Sequence, residues 1–214
     1  MSTIINATTT NGVVIQPDNS GSLVLQTNNG TTALTISTAQ NATFAGTVTL
    51  PTGTIYPLVS GTSVASTSGT SIDFTSIPSW VKKINVMFNG VSTNGSSIPM
   101  VQLGAGSVDA TSYTAMAGSI NTANNTTRGN TNSTGFTISG SNTAAADIHS
   151  GFITFSLFGS NVWTCSGNLY NPNGPSVSSI SGVKTLSSTL DRVRITTVNG
   201  TDAFDAGSIN ILYE

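Results

Sequence analysis

The stretch LSSTLDRVRITTVNGTDAFDAGSINILYE, Leu186–Glu214, contains two runs in which apolar residues recur at every second position. Val193 and Ile195 alternate with Arg192 and Arg194, and Ile209, Ile211 and Tyr213 alternate with Ser208 and Asn210. Successive side chains of a strand point to opposite faces, so a period of two predicts strands with one buried and one wet face. The two runs flank a loop with Asn199-Gly200 and Asp205-Ala206-Gly207, both of them turn chemistry. They are expected to form a hairpin that closes the domain, with the end of the chain inside the sheet.

Nothing elsewhere competes with strand. No window of eleven or more residues has a convincing helical period; a short turn is expected at Ile77–Trp80, where Pro78 suits a helix start. Only 7% of the 214 residues are charged, against roughly 25% in an ordinary globular chain. The polarity comes from Ser, Thr, Asn and 22 Gly, which disfavour helix or favour turns, while Thr, Val and Ile suit strands. Low charge also accompanies membrane proteins, but no stretch approaches the ~20 apolar residues of a spanning helix, so membrane insertion is not expected. The net charge of −2 gives no electrostatic footprint for nucleic acid. MSTIINATTT lacks the basic and apolar regions of a signal peptide, and a single cysteine, Cys165, fits synthesis in a reducing cytoplasm.

Residues 1–57 carry one charge, Asp18, and a loose period of about ten residues: GVVIQPDNS, GSLVLQTNN, GTTALTISTAQ and NATFAGTVTLP. Each piece is a short β run followed by a turn. Their apolar residues, Val14, Leu23, Leu25, Leu34, Ile36, Phe44 and Val48, are too few for a core of their own. Such a segment must stack on something, and intertwining with two further copies would also remove exposed strand edges. The alternative is a flexible polar arm. Ile55–Thr70 reads as a connector, broken by Pro57 and a Gly/Ser/Thr cluster.

From Ser71 onward the strand candidates are Ser71–Phe74, Val81–Phe88, Met100–Leu103, Phe136–Ile138, Phe152–Phe158, Trp163–Leu169, Arg192–Val198 and Ile209–Tyr213. Phe152–Phe158 has apolar residues on both faces, as in a strand that is central or lies at an interface. Asn121–Ser150 is polar and rich in turn formers. It reads either as a recognition loop on a rigid scaffold or as an ordinary solvated loop with a small hairpin. The expected fold is all-β: a β-repeat segment for attachment and trimerisation (1–57), a linker (58–70) and a jelly-roll-like antiparallel β-sandwich (71–214).

No catalytic constellation stands out, and neither cofactor nor enzymatic activity is expected. Asp147 and His149 are two apart and would share a strand face, yet no second nitrogen or thiolate ligand is spaced with this lone histidine. Asp202 and Asp205 with Asn199 offer oxygen ligands for Ca²⁺ without the spacing of a calcium loop. Eight scattered acids are a poor basis for a glycosidase pair. Cys165 and Trp163 read as core. Trp80, Trp163, Tyr113 and Tyr170 could stack on sugars, although core packing is the commoner fate of such aromatics. Tyr113 and Tyr170, in the turn-rich contexts SYT and LYNPNGP, are the better surface candidates of the four. Arg128 and His149, both within Asn121–Ser150, complete the candidate recognition residues.

SIDFTSIPSWVKKINVMFNGVSTNG (71–95) and the stretch Leu186–Glu214 resemble the C-terminal domain of many tailed-bacteriophage tail-fibre and related virion proteins. The opening MSTIINATTTNGVVIQPDNSGSLVLQTNNG is similar to openings of phage structural proteins. The resemblance implies a virion component assembled in the bacterial cytoplasm, commonly a homotrimer. Its N-terminal segment would meet other virion proteins, and its distal β domain would be free to contact a host glycan or protein. A capsid head fibre, a decoration protein and, from another class, a polysaccharide-cleaving tailspike are the alternatives.

Overall fold

The structure, a computed structural model, describes residues 21–27, 30–50, 53–54 and 56–214. Val14 and the piece GVVIQPDNS lie outside the described residues. The chain forms two compact units, Met1–Ile55 and Tyr56–Glu214.

In the first unit, strands β1 (Leu23–Thr27), β2 (Thr31–Ile36) and β3 (Ala42–Phe44) form an antiparallel sheet in that order. The pair β4 (Thr49–Leu50) and β5 (Gly53–Thr54) forms a separate ladder. No side chain described in this unit is buried, and Val24, Leu25, Phe44 and Val48 are exposed. With few apolar residues on short strands, the described residues of this unit build no interior.

The second unit contains β6 (Val59–Ser60), β7 (Val64–Ala65), β8 (Ser71–Thr75), β9 (Lys83–Thr93), β10 (Pro99–Ala105), β11 (Ser107–Val108), β12 (Thr114–Asn121) and β13 (Thr126–Asn132). It continues with β14 (Phe136–Thr137), β15 (His149–Gly159), β16 (Val162–Asn171), β17 (Ser176–Thr185), β18 (Arg192–Thr197) and β19 (Phe204–Tyr213). These strands make two antiparallel sheets. One has five strands, ordered β11-β10-β18-β8 with β14 also on β10. The other has nine, ordered β13-β12-β17-β16-β15-β9-β19-β6 with β7 also on β19.

Both sheets feed one hydrophobic cluster. Ile72, Leu103, Val193 and Ile195 come from the smaller sheet, and Val86, Ile153, Phe155, Ile180 and Ile209 from the larger. Phe136 on β14 joins them: its fully buried ring meets Tyr113 edge-on at 5.1 Å and Phe155 at 5.2 Å. The alternation at the C-terminus is therefore real, with Val193, Ile195, Ile209 and Ile211 all buried.

The expected hairpin is not there. β18 lies between β10 and β8, whereas β19 lies in the other sheet beside β9. The segment between them carries the chain from one sheet to the other. Asn199 Oδ1 accepts the N–H groups of Thr201 and Asp202, Asn199 Nδ2 donates to Asp202 Oδ1, and Asp202 Oδ2 accepts the Ser97 N–H at 2.9 Å. A period of two reports which face is buried, and it is satisfied equally by strands in two sheets that share a core.

The stretch expected as a connector contributes β6 and β7, which pair with β19 at Leu212↔Ser60 and Ile209↔Val64. Ser66, fully buried, donates its hydroxyl to the Ala206 carbonyl at 2.7 Å. The short strands occupy the edge of β19, whose hydrogen-bonding groups would otherwise face solvent. At Pro78 the expected turn closes through the Val81 N–H to the Pro78 carbonyl, with no helix following.

Candidate recognition site

Structure sorts the four candidate residues into two buried and two exposed. Tyr113, expected at the surface, is 4% exposed. Its hydroxyl accepts the Leu103 N–H at 2.8 Å and donates to the Asp109 carbonyl at 2.8 Å, with the Leu103 carbonyl at 3.2 Å as a second acceptor. A Tyr ring is mostly apolar, and a backbone partner for its one polar atom lets it enter the core. Burial also pushes its phenol well above the usual range.

His149 likewise belongs to the interior. It opposes Val91 where β15 begins, and its Nε2 is shut from solvent without a hydrogen-bond partner. Desolvation holds its imidazole below the ordinary value, against the opposing pull of Asp147. Asp147 shares no strand face with it. The aspartate precedes β15 in a turn, where its Oδ2 accepts the Ala144 N–H at 2.8 Å. Asp202 is committed to its loop, and the hydrogen bonds from Asn199 and Ser97 lower its pKa. Asp205 is exposed on β19. Among the described residues no group of three His, Cys, Asp or Glu is placed to hold a metal ion. Cys165 is buried and its thiol is pushed up by desolvation, an environment opposite to that of a nucleophile.

Arg128 and Tyr170 are exposed but lie on opposite faces of the nine-stranded sheet. Tyr170 pairs with Val177, on the face turned away from the core. Arg128 pairs with Ser119, whose buried side chain marks the inner face, but at the edge strand β13 the core has already ended. There a cleft of about 130 Å³ opens, lined by Asn121, Arg128, Ser141, Asn142, Asp147 and Asn171 among others.

Local sequence explains the cleft. The Asn121–Ser150 stretch is a β12–β13 hairpin followed by β14 and a loop that passes back beneath β13. Ser119 anchors the loop: its hydroxyl lies 2.7 Å from that of Ser178 and accepts the Gly140 N–H at 2.7 Å. Only glycine fits at 140, because a Cβ there would stand 2.6 Å from the Arg128 carbonyl oxygen. On the far side, Asn171 Oδ1 accepts the N–H groups of Asn173 and Gly174, and the Asn173 amide donates to the Ala146 carbonyl.

The Arg128 guanidinium makes no hydrogen bond or ion pair with another described residue. It lines the cleft alongside hydroxyl and amide groups. Such a set can hydrogen-bond a polyhydroxylated or carboxylate-bearing ligand, a guanidinium being suited to bidentate contacts. The residues that frame the cleft besides Arg128, notably Ser119, Ser141 and Asn171, carry no individual sequence signal; only their position after folding brings them together.

Comparison with protein-family models, with curated proteins and with solved structures finds no match to this chain.

Proposed function

We propose that this protein is a non-enzymatic bacteriophage virion component: a trimeric fibre, of the tail-fibre kind, whose second unit meets the host cell surface. The observation that carries the reading is the first unit, whose described side chains include none that is buried and several exposed apolar ones. Strands of this kind acquire an interior only by associating, and three copies wound together supply one while covering their edges. The second unit, with two antiparallel sheets on one core, suits a jelly-roll-like β-sandwich, a rigid platform for loops. The resemblance of residues 71–95 and 186–214 to phage fibre domains adds the biological setting. Host contact is assigned to the loop cleft around Arg128, where weak contacts repeated in three copies gain by avidity.

Mass photometry of the purified full chain tests the assembly, with three copies of the 21.7-kDa chain expected and a stable monomer contradicting it. The same protein should block adsorption of its phage to host cells. Failure to block, together with binding to emptied capsids, would replace the tail fibre with a head fibre or decoration protein. Release of reducing ends from host polysaccharide would make it a tailspike enzyme.

A further inference from the structure

The outward face of the nine-stranded sheet is unlike an ordinary wet face. Along β12, β17, β16 and β15 the residues alternate between buried and more exposed positions. The outward positions carry no charge; they hold Ser, Thr, Asn and Gly with a minority of apolar residues. The first ionic group in this direction is Lys83 on β9, paired with Glu214 at 2.8 Å.

Across this neutral face the apolar residues line up. Ile120 opposes Val177, and Val177 opposes Tyr170. Phe152, which opposes Asn168, stands diagonally from Tyr170, within reach of an aromatic side chain. Ile120 is 59% exposed, Val177 49%, and Tyr170 and Phe152 52% each. This is a continuous stripe over four strands, and it accounts for Phe152, one of the two aromatics on the outward side of Phe152–Phe158. Solvated sheet faces usually carry long charged side chains; this one is flat, short and neutral, with an apolar band.

We infer that this face docks against a second copy of the chain, with the stripe Ile120–Val177–Tyr170–Phe152 at the centre of the contact. Three considerations select that occupant. A charged partner would find nothing complementary here, whereas a neutral face meets another copy of itself without like-charge repulsion. Four strands ~4.8 Å apart, about eight residues long at ~3.3 Å per residue, give an area on the order of 500 Å². That is somewhat over half of the roughly 800 Å² each partner contributes to a stable interface. Finally, copies already associated through their first units meet at high effective concentration, so a contact of this size suffices. The short hydroxyls around the stripe can bond directly or through water, as an interface rim does. This inference rests on the proposed association of the first unit, but it assigns a separate surface to the assembly.

Hydroxyl-radical footprinting of the full chain, read by mass spectrometry beside mass photometry, tests it. Tyr170, Phe152 and Met116, which is 58% exposed in the single chain, should be protected in the wild-type oligomer. They should oxidise several-fold faster in Val177→Lys, or in Ile120→Lys should that variant fold poorly, with the circular dichroism spectrum unchanged. An oligomer in which these residues oxidise equally fast in wild type and variant would overturn the inference while leaving association through the first unit standing. A monomeric wild type would remove both. Protection that arises only when host polysaccharide is added would identify the stripe as a sugar platform and overturn the second-copy assignment.

Discussion

Lys184 Nζ lies 2.6 Å from Asp109 Oδ2, and the lysine side chain is 2% exposed while the aspartate is 31% exposed. The ammonium also donates to the Thr111 carbonyl at 2.6 Å and sits 4.8 Å from the centre of the Tyr113 ring. A buried cation is therefore held by one carboxylate, one carbonyl and one aromatic face.

Removing the carboxylate should hurt more than removing the pair. Asp109→Asn leaves Lys184 charged in the interior and is expected to lower stability by about 2–3 kcal/mol, below the ~3–5 of a wholly buried pair because Asp109 is partly solvated. Adding Lys184→Met to Asp109→Asn should recover part of that loss. Urea denaturation of the two variants and wild type measures both effects. The Lys184 hydrogen bond lowers the Asp109 pKa in the fold. Its contribution is thus present above the unfolded value and disappears as pH falls through the lower folded value.

Tyr113→Phe keeps the ring packed on Phe136 but strands the Leu103 N–H, which the hydroxyl satisfies. A buried donor without a partner costs about 1–3 kcal/mol. Thermal unfolding should show a lowered midpoint with no change in far-ultraviolet circular dichroism.

His149 predicts a second pH window. Its folded pKa is depressed by burial, so the unfolded chain binds this proton more readily than the native one. Stability should then fall as pH drops below the ordinary imidazole value of about 6.5. His149→Gln should flatten the slope of unfolding free energy between neutral pH and about pH 5. An unchanged slope would place the titration elsewhere.

At Gly207 the backbone has φ 89°, and a Cβ would stand 2.3 Å from the Gly90 carbonyl oxygen. Gly90, at φ 64°, is the matching irregularity on β9, with its N–H taken by the Ser150 hydroxyl at 2.9 Å. Gly207→Ala should lose at least about 1–3 kcal/mol from the left-handed backbone alone, before the clash is counted. Equilibrium unfolding of the purified variant measures it.

The sequence was legible where burial and period coincide. Ile84, Val86, Ile153, Phe155, Val193, Ile195, Ile209 and Ile211 announce strands because each alternates with residues that face away from the core. The strands β12, β13 and β17 escaped because their wet faces and parts of their inner faces are Ser, Thr, Asn and Gly, so alternation has little contrast. In β17, Ser178 and Lys184 occupy inner positions beside Ile180. Which strand pairs with which was not legible at all: the turn residues Asn199-Gly200 fit a hairpin, yet the loop crosses between sheets. Connector residues became strands because the β19 edge was there to receive them. At the candidate site, Arg128 was found as a lone cation in a polar stretch. The buried roles of Tyr113 and His149 were invisible, since each depends on a partner or neighbour distant in sequence or on the course of the backbone.

Gold-labelled antibody against the second unit, applied to intact particles of a phage whose genome carries this sequence, tests the proposed virion role most directly. The account predicts gold at the tail, at positions where fibres emerge. Particles labelled on the head, or carrying no label with the protein confined to the infected-cell lysate, would contradict it.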